Sequence, residues 1–186
     1  MLKVDEGMDG AILLKREAIT ALGRLGGPEV VPILRAVSTE GRPEVSHSIA
    51  VALGFLGRPE AIPILEEMAK NSDPMVRPVA LKALASYCSD SSSEVVERAY
   101  DENDAEVRWG AMVWFNWCGS GKHISFLVRG VKDGDVPYGV IRMQALEGLT
   151  RLRSSAGCAY VGTAYLEKPE TVRDAAGKYA ALLCTH

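Results

Sequence analysis

Apolar residues in this chain fall into columns that repeat about every thirty-one positions. With Lys15, Ser46, Arg77, Arg108, Arg142 and Arg173 as register marks, the spacings are 31, 31, 31, 34 and 31. One position before each mark stand Leu14, Val45, Val76, Val107, Ile141 and Val172. Three after come Ala18, Ile49, Ala80, Ala111, Ala145 and Ala176, and seven after come Leu22, Leu53, Leu84, Phe115, Leu149 and Ala180. Ten after come Leu25, Leu56, Tyr87, Cys118, Leu152 and Leu183. Offsets of −1, 3, 7 and 10 trace one face of a 3.6-residue helix, so each repeat opens with an amphipathic first helix. The alanines in the column let neighbouring helices approach closely.

A second helix follows each first one. Its stripe is Val31, Leu34 and Val37, then Ile62, Leu65 and Met68, then Ser93, Val96 and Ala99. In later repeats the same columns hold Ile124, Leu127 and Gly130, then Cys158, Val161 and Ala164. Between the two helices of the first repeat lies Gly26-Gly27-Pro28. Glycine takes the left-handed conformation after a helix and proline suits the first helical position. Asp73 and Asp104 precede first helices, where a carboxylate can accept from free backbone N–H groups. The stretch KDGDVPYG at 132–139 carries the extra residues of the longer spacing and reads as a surface turn. Ser89–Ser93 reads as a short polar loop. The predicted units are 10–38, 43–70, 74–102, 105–132 and 138–167, followed by a single helix at 170–184, all in one repeat domain.

The period is plainest in LGRLGGPEVVPIL at 22–34, which returns as LGFLGRPEAIPIL at 53–65 with nine of thirteen residues identical. Self-similarity at such a period marks stacked helix pairs. Together with DPMVRPVALKAL (73–84), DAEVRWGAMVWF (104–115) and ETVRDAAGKYA (170–180), this pattern resembles the HEAT repeat, in its short type named after the phycobilisome lyases. The resemblance implies an all-α, right-handed α-solenoid of about five helix pairs plus a terminal helix. It also implies first helices on the convex side and second helices lining the concave side. The fourth repeat departs from the pattern at Trp114 and Asn116, and the fifth lacks the glycine turn. A solenoid needs covered ends, so the terminal helix either caps the stack or offers an edge to another chain.

Composition narrows the function. The 186 residues are 47% apolar with a net charge of −3, as expected of a soluble folded protein with a sizeable core. No apolar run reaches the roughly 18 residues of a membrane span. The acidic N-terminus MLKVDEGMDG lacks the layout of a signal peptide, which makes the cytoplasm the expected address. Residues 1–104 carry 11 basic and 17 acidic residues, while residues 105–186 carry 10 and 7. Neither part has the basic excess that phosphate neutralisation needs, which disfavours nucleic acid as a partner. Cys88, Cys118, Cys158 and Cys184 form no CxxC pair, so free thiols filling small apolar gaps are expected rather than zinc ligands.

Catalytic and metal constellations are absent from the pattern. His47, His123 and His186 include no pair at metal-ligand spacing on a helix. Deoxyhypusine hydroxylase, a HEAT-repeat enzyme similar in architecture, needs repeated His-Glu pairs for its irons, and this chain has no His-Glu dipeptide. His47 is expected in solvent on the outer face and His123 at the surface. There is no GxSxG. The repeated Arg77, Arg108, Arg142 and Arg173 sit beside core columns and suit pairing with helix-end carbonyls and helix-start carboxylates.

Two surfaces remain as candidate binding sites. One is a polar set on the second helices: Glu66, Glu67, Glu94, Glu97, Arg98, Arg129 and Lys132. Glu67, Arg98 and Arg129 share a column, so stacking would give a concave row running from acidic to basic, suited to a partner of complementary charge. The other is an aromatic patch in the fourth repeat. Phe115 is core by register and Trp114 fills a gap, but Trp109 and Trp117 stand in mixed columns that are normally exposed, and exposed tryptophans anchor interfaces. The resulting expectation is a non-enzymatic scaffold or adaptor that binds a protein or peptide, with no cofactor, no metal and no membrane span. The lyase-type resemblance carries an alternative, a phycobilin lyase-like, tetrapyrrole-handling protein. An AlkD-like DNA glycosylase, also built from HEAT-like helices, would need a basic groove, and the acidic second helices argue against it.

Overall fold

Glycine, proline and aspartate set the helix ends where the pattern places them. The structure, a computed structural model, describes residues 10–39, 42–133, 139–164 and 170–184, and every regular element among these is helical. First helices are α1 (Gly10–Leu25), α3 (Pro43–Leu56), α5 (Arg77–Leu84), α7 (Ala105–Cys118), α9 (Val140–Arg151) and α11 (Glu170–Leu183). Second helices are α2 (Val30–Ser38), α4 (Ile62–Met68), α6 (Ser93–Tyr100), α8 (Ile124–Asp133) and α10 (Val161–Ala164). Four of these are entered through a tighter 3-10 segment, at Pro59–Ala61, Asp90–Ser92, Gly121–His123 and Ser155–Tyr160. The fold is an all-α solenoid of helix pairs. The expected long turn at 132–139 falls largely outside the described residues.

The caps show the local physics. Gly26 and Gly57 take φ of 70° and 62°, the left-handed turn after α1 and α3. The same column holds Cys88 and Arg153, and both keep that turn with φ of 47° and 51° although they carry a Cβ. The fifth repeat therefore reverses direction without its glycine, at the modest cost of a non-glycine residue in this region. Asp104 Oδ1 accepts from the Val107 N–H at 3.0 Å, a side-chain N-cap for α7. Asp73 Oδ1 accepts from the Met75 N–H at 2.8 Å and closes a turn ahead of α5.

The chain divides into two compact units, residues 1–87 and 88–186. In the first, α3 packs between α1 and α5, with α2 and α4 packed on α3 and α5 respectively. Ile49, Leu53, Leu34, Leu65 and Leu84 are fully buried there. Gly23 of α1 lies so near α3 that a Cβ built on it would sit 2.6 Å from the Cα of Ala52. Glycine is required at that crossing.

In the second unit α9 packs between α7 and α11, and α8 packs against both α7 and α9. Its core is aromatic. Phe115 stacks on Phe126 with ring centroids 4.8 Å apart, Tyr100 meets both edge-on, and Trp114 is 1% exposed, filling the fourth-repeat gap as expected. The buried hydroxyl of Tyr179 donates to the Ser154 carbonyl at 2.7 Å and accepts from the Gly157 N–H at 2.9 Å, tying α11 to the preceding segment. Arg142 donates through Nε to the Val131 carbonyl at 2.8 Å, the helix-end pairing expected of the arginine column.

Three expectations are corrected. The cysteines are not free thiols: Cys88 bonds Cys118 and Cys158 bonds Cys184, with Cα–Cα distances of 4.9 and 5.5 Å. Both bridges lie within residues 88–186. His123 is not at the surface but 2% exposed, because the 3-10 segment that carries it turns its ring inward onto Trp114 and Phe115. In the first repeat Leu14 and Leu25 are 72% and 82% exposed rather than core, since α3 is the only first helix packed on α1 among the described residues.

Candidate functional site

Much of the second-helix polar set already has partners within the chain. Glu94 pairs with Arg98 one turn later on α6. Arg129 of α8 binds Asp101 at 2.8 Å and lies over the Tyr100 and Phe126 rings, 5.0 and 5.7 Å from their centroids. Glu97 accepts from the Ser93 hydroxyl at 2.8 Å. Lys132 is exposed at the end of α8. In the first unit, Glu67 is exposed and Glu66 half-buried on α4. Within the second unit, then, four of the five candidate side chains already have a partner.

One of those partners belongs to a buried cluster that sequence reading missed. His123 Nδ1 accepts from the Ser120 N–H at 2.9 Å, so in the neutral ring Nε2 carries the proton. Nε2 lies 2.9 Å from Ser93 Oγ, and that hydroxyl is directed at Glu97. A nucleophilic triad needs the opposite wiring, with Nε2 bare to take the serine proton and a carboxylate on Nδ1. Serine and carboxylate both lie on the Nε2 side here, and the histidine is buried. The cluster joins α6 to the entry of α8 and is structural. The signal was present in the spacing: Ser93 and His123 are 30 residues apart, one short of a period.

Burial, and after it the charge of Lys122, lowers the His123 pKa from 6.5, with Glu97 opposing. A depressed folded-state value means the unfolded chain takes up the proton first as pH falls. This contribution to stability is present in full above about pH 6.5 and declines as pH drops below it. Unfolding midpoints between pH 8 and pH 5 are expected to fall more steeply in the wild type than in His123→Gln. Parallel curves would show that His123 does not titrate differently on folding.

A different surface is open. On α7, Trp109, Val113 and Trp117 are spaced by four and share one stripe. Trp109 and Val113 are half-buried, whereas Trp117 is 66% exposed. Beside the end of this stripe, Arg151 of α9 donates to the carbonyls of Asn116 and Gly119, where a cation suits the helix C-terminus. Asn116, in the place of the usual glycine, donates to Gln144 and Glu147 at 2.8 and 3.0 Å. Glu147 and Arg151 are thus fixed on one wall of a cleft of about 500 Å³ between α9 and α11. Thr171, Asp174 and Lys178 form the other wall, and Met143 and Ala175 add apolar surface to the lining. Its size is that of a ligand site, and each wall carries both signs of charge. Such a lining suits a chain segment with apolar and charged side chains. Trp117 was legible from its mixed column, but the cleft was not, since its walls come from two separate helices, α9 and α11.

No cluster of three or more His, Cys, Asp or Glu side chains is placed to hold a metal ion among the described residues. Nor is any helix among them long and apolar enough to cross a membrane. No curated protein matches the chain in sequence. Among solved structures, that of human deoxyhypusine hydroxylase in complex with glycerol is similar at 15% identity and a TM-score of 0.44, over 98% of this chain and 82% of that one. The family model for HEAT repeats matches twice, at residues 8–85 and 39–114, which together exceed half of the chain. The columns, the glycine–proline turns, the helix pairs and this match agree, and the chain belongs to the HEAT-repeat family.

Proposed function

We propose that the chain is a HEAT-repeat adaptor that binds a protein or peptide through the first-helix face of its second unit, with Trp117 as the anchor. The observation that carries this reading is the exposure of Trp117 at 66%, beside a cleft whose near wall is already fixed by Asn116. A large aromatic left in solvent next to a preformed cleft is the arrangement from which interface hot spots are built. The second-helix set of Glu67, Arg98 and Arg129 is weaker support, because Arg98 and Arg129 are already paired within the second unit. The paired cysteines also bear on address: disulfides persist in oxidising compartments, which favours a location outside the reducing cytoplasm.

The test is affinity capture from the native host with quantitative mass spectrometry. Trp117→Ala is expected to lose its specific partner by about tenfold or more, the usual scale of a tryptophan hot spot. The double reversal Glu67→Lys/Glu94→Lys is expected to retain it. The opposite outcome would move the site to the second helices, and a partner set unaffected by either variant would end the reading.

A further inference from the structure

We propose that the outer face of α1 is a self-association surface, at which two copies of the chain pair through antiparallel α1 helices. In α3 the positions Val45, Ile49 and Ala52 are buried toward α1, as the Gly23–Ala52 crossing shows. One period earlier, α1 places Leu14, Ala18 and Ala21 at the same positions, with Leu25 matching Leu56. All four are exposed, Leu14 at 72% and Leu25 at 82%. The stripe has the chemistry of a helix-packing face and no described element lies on it.

The order of that stripe identifies its occupant. Leu14, Ala18, Ala21 and Leu25 are spaced by four, three and four, so the sequence of side chains reads the same in both directions. About a two-fold axis between Ala18 and Ala21, Leu14 of one copy meets Leu25 of the second and Ala18 meets Ala21. Alanines at the centre permit close approach and leucines close the ends. A face that is its own complement is what an isologous dimer requires.

Charge agrees with the same arrangement. Glu17 and Arg24 are exposed, seven residues apart on one flank of the stripe, and neither side chain has a partner among the described residues. Antiparallel pairing sets like flanks against each other. Glu17 of one copy then faces Arg24 of the second, twice by symmetry. From Leu14 to Leu25 the stripe runs about 17 Å. A single helix stripe of that length buries less than the roughly 1,200 Å² of a standard interface, so self-association is expected at micromolar rather than nanomolar concentrations.

Sedimentation equilibrium on the full chain, up to several hundred micromolar, tests this with four proteins: wild type, Glu17→Arg, Arg24→Glu and the double reversal. The wild type is expected to reach a dimer. Each single reversal replaces two attractions by two repulsions and should weaken the dimer roughly tenfold, given the modest worth of exposed ion pairs. The double variant should return to within about threefold of the wild type, because the pairs are re-formed with signs exchanged. Both residues are exposed and circular dichroism should be unchanged. A wild type that stays monomeric, single variants that dimerise like it, or a double variant that stays as weak as the singles would each overturn the proposal. So would a monomeric wild type that instead takes a different protein on this face.

Discussion

Trp114→Ala is expected to destabilise the second unit by about 3–5 kcal/mol, the range for removing a buried indole from a packed core. Trp114 is 1% exposed and lies edge-on to Phe115 and His123, with ring centroids 5.8 and 5.4 Å away. Its loss would leave a cavity among side chains that are themselves held by neighbours. The indole Nε1 is buried without a hydrogen-bond partner among the described residues. Trp114→Phe gives up volume but also removes that unsatisfied donor, so its cost should be smaller, about 1–2 kcal/mol. Chemical denaturation of both variants decides the matter. A loss below about 1 kcal/mol for Trp114→Ala would mean that the fourth-repeat substitution fills no core gap.

Reduction is the second large effect. The two disulfides close segments of 30 and 26 residues, and loop-closure entropy assigns each about 3–4 kcal/mol on the chain-entropy model. All four cysteines lie in the second unit, since Cys88 is the first in the chain. Thermal unfolding with and without reductant should therefore show a large downward shift in one part of the transition and little in the other. Tyr179 and Tyr87 each lie in one unit only and serve as reporters. If reductant shifted the Tyr87 and Tyr179 probes equally, stabilisation confined to the second unit would be refuted.

Much of the fold was legible because its signals are local. The turn at Gly57-Arg58-Pro59, the cap at Asp104 and the alanine column each depend on neighbours within a few residues or on one period. Phe115 and Trp114 could be placed in the core from register alone. What was not legible depended on direction. Cys88 and Cys118 stand in different columns, eleven and ten after their marks, which obscured their pairing. His123 begins a second helix, and only its 3-10 geometry shows that the ring turns inward. Leu14 obeys the column rule and is nonetheless exposed, since a column predicts which face is apolar but not whether a neighbour is there to cover it. In the candidate site, Trp117 follows from its mixed column, whereas Glu94, Arg98 and Arg129 were recognised as charged without their partners.

The disulfides also bear on the order in which the chain acquires its structure. Four cysteines can be joined in three ways, and only one of those ways leaves the bridges sequential and uncrossed. That is the pairing found, Cys88 with Cys118 and Cys158 with Cys184. During synthesis from the N-terminus, each cysteine that must wait finds its proper mate as the next one to emerge. The first bridge can close before Cys158 exists, and residues 1–87, which hold no cysteine, precede both bridges. A chain oxidised in this order is offered the right partner first at each closure, which reduces the reshuffling that crossed or nested bridges would require.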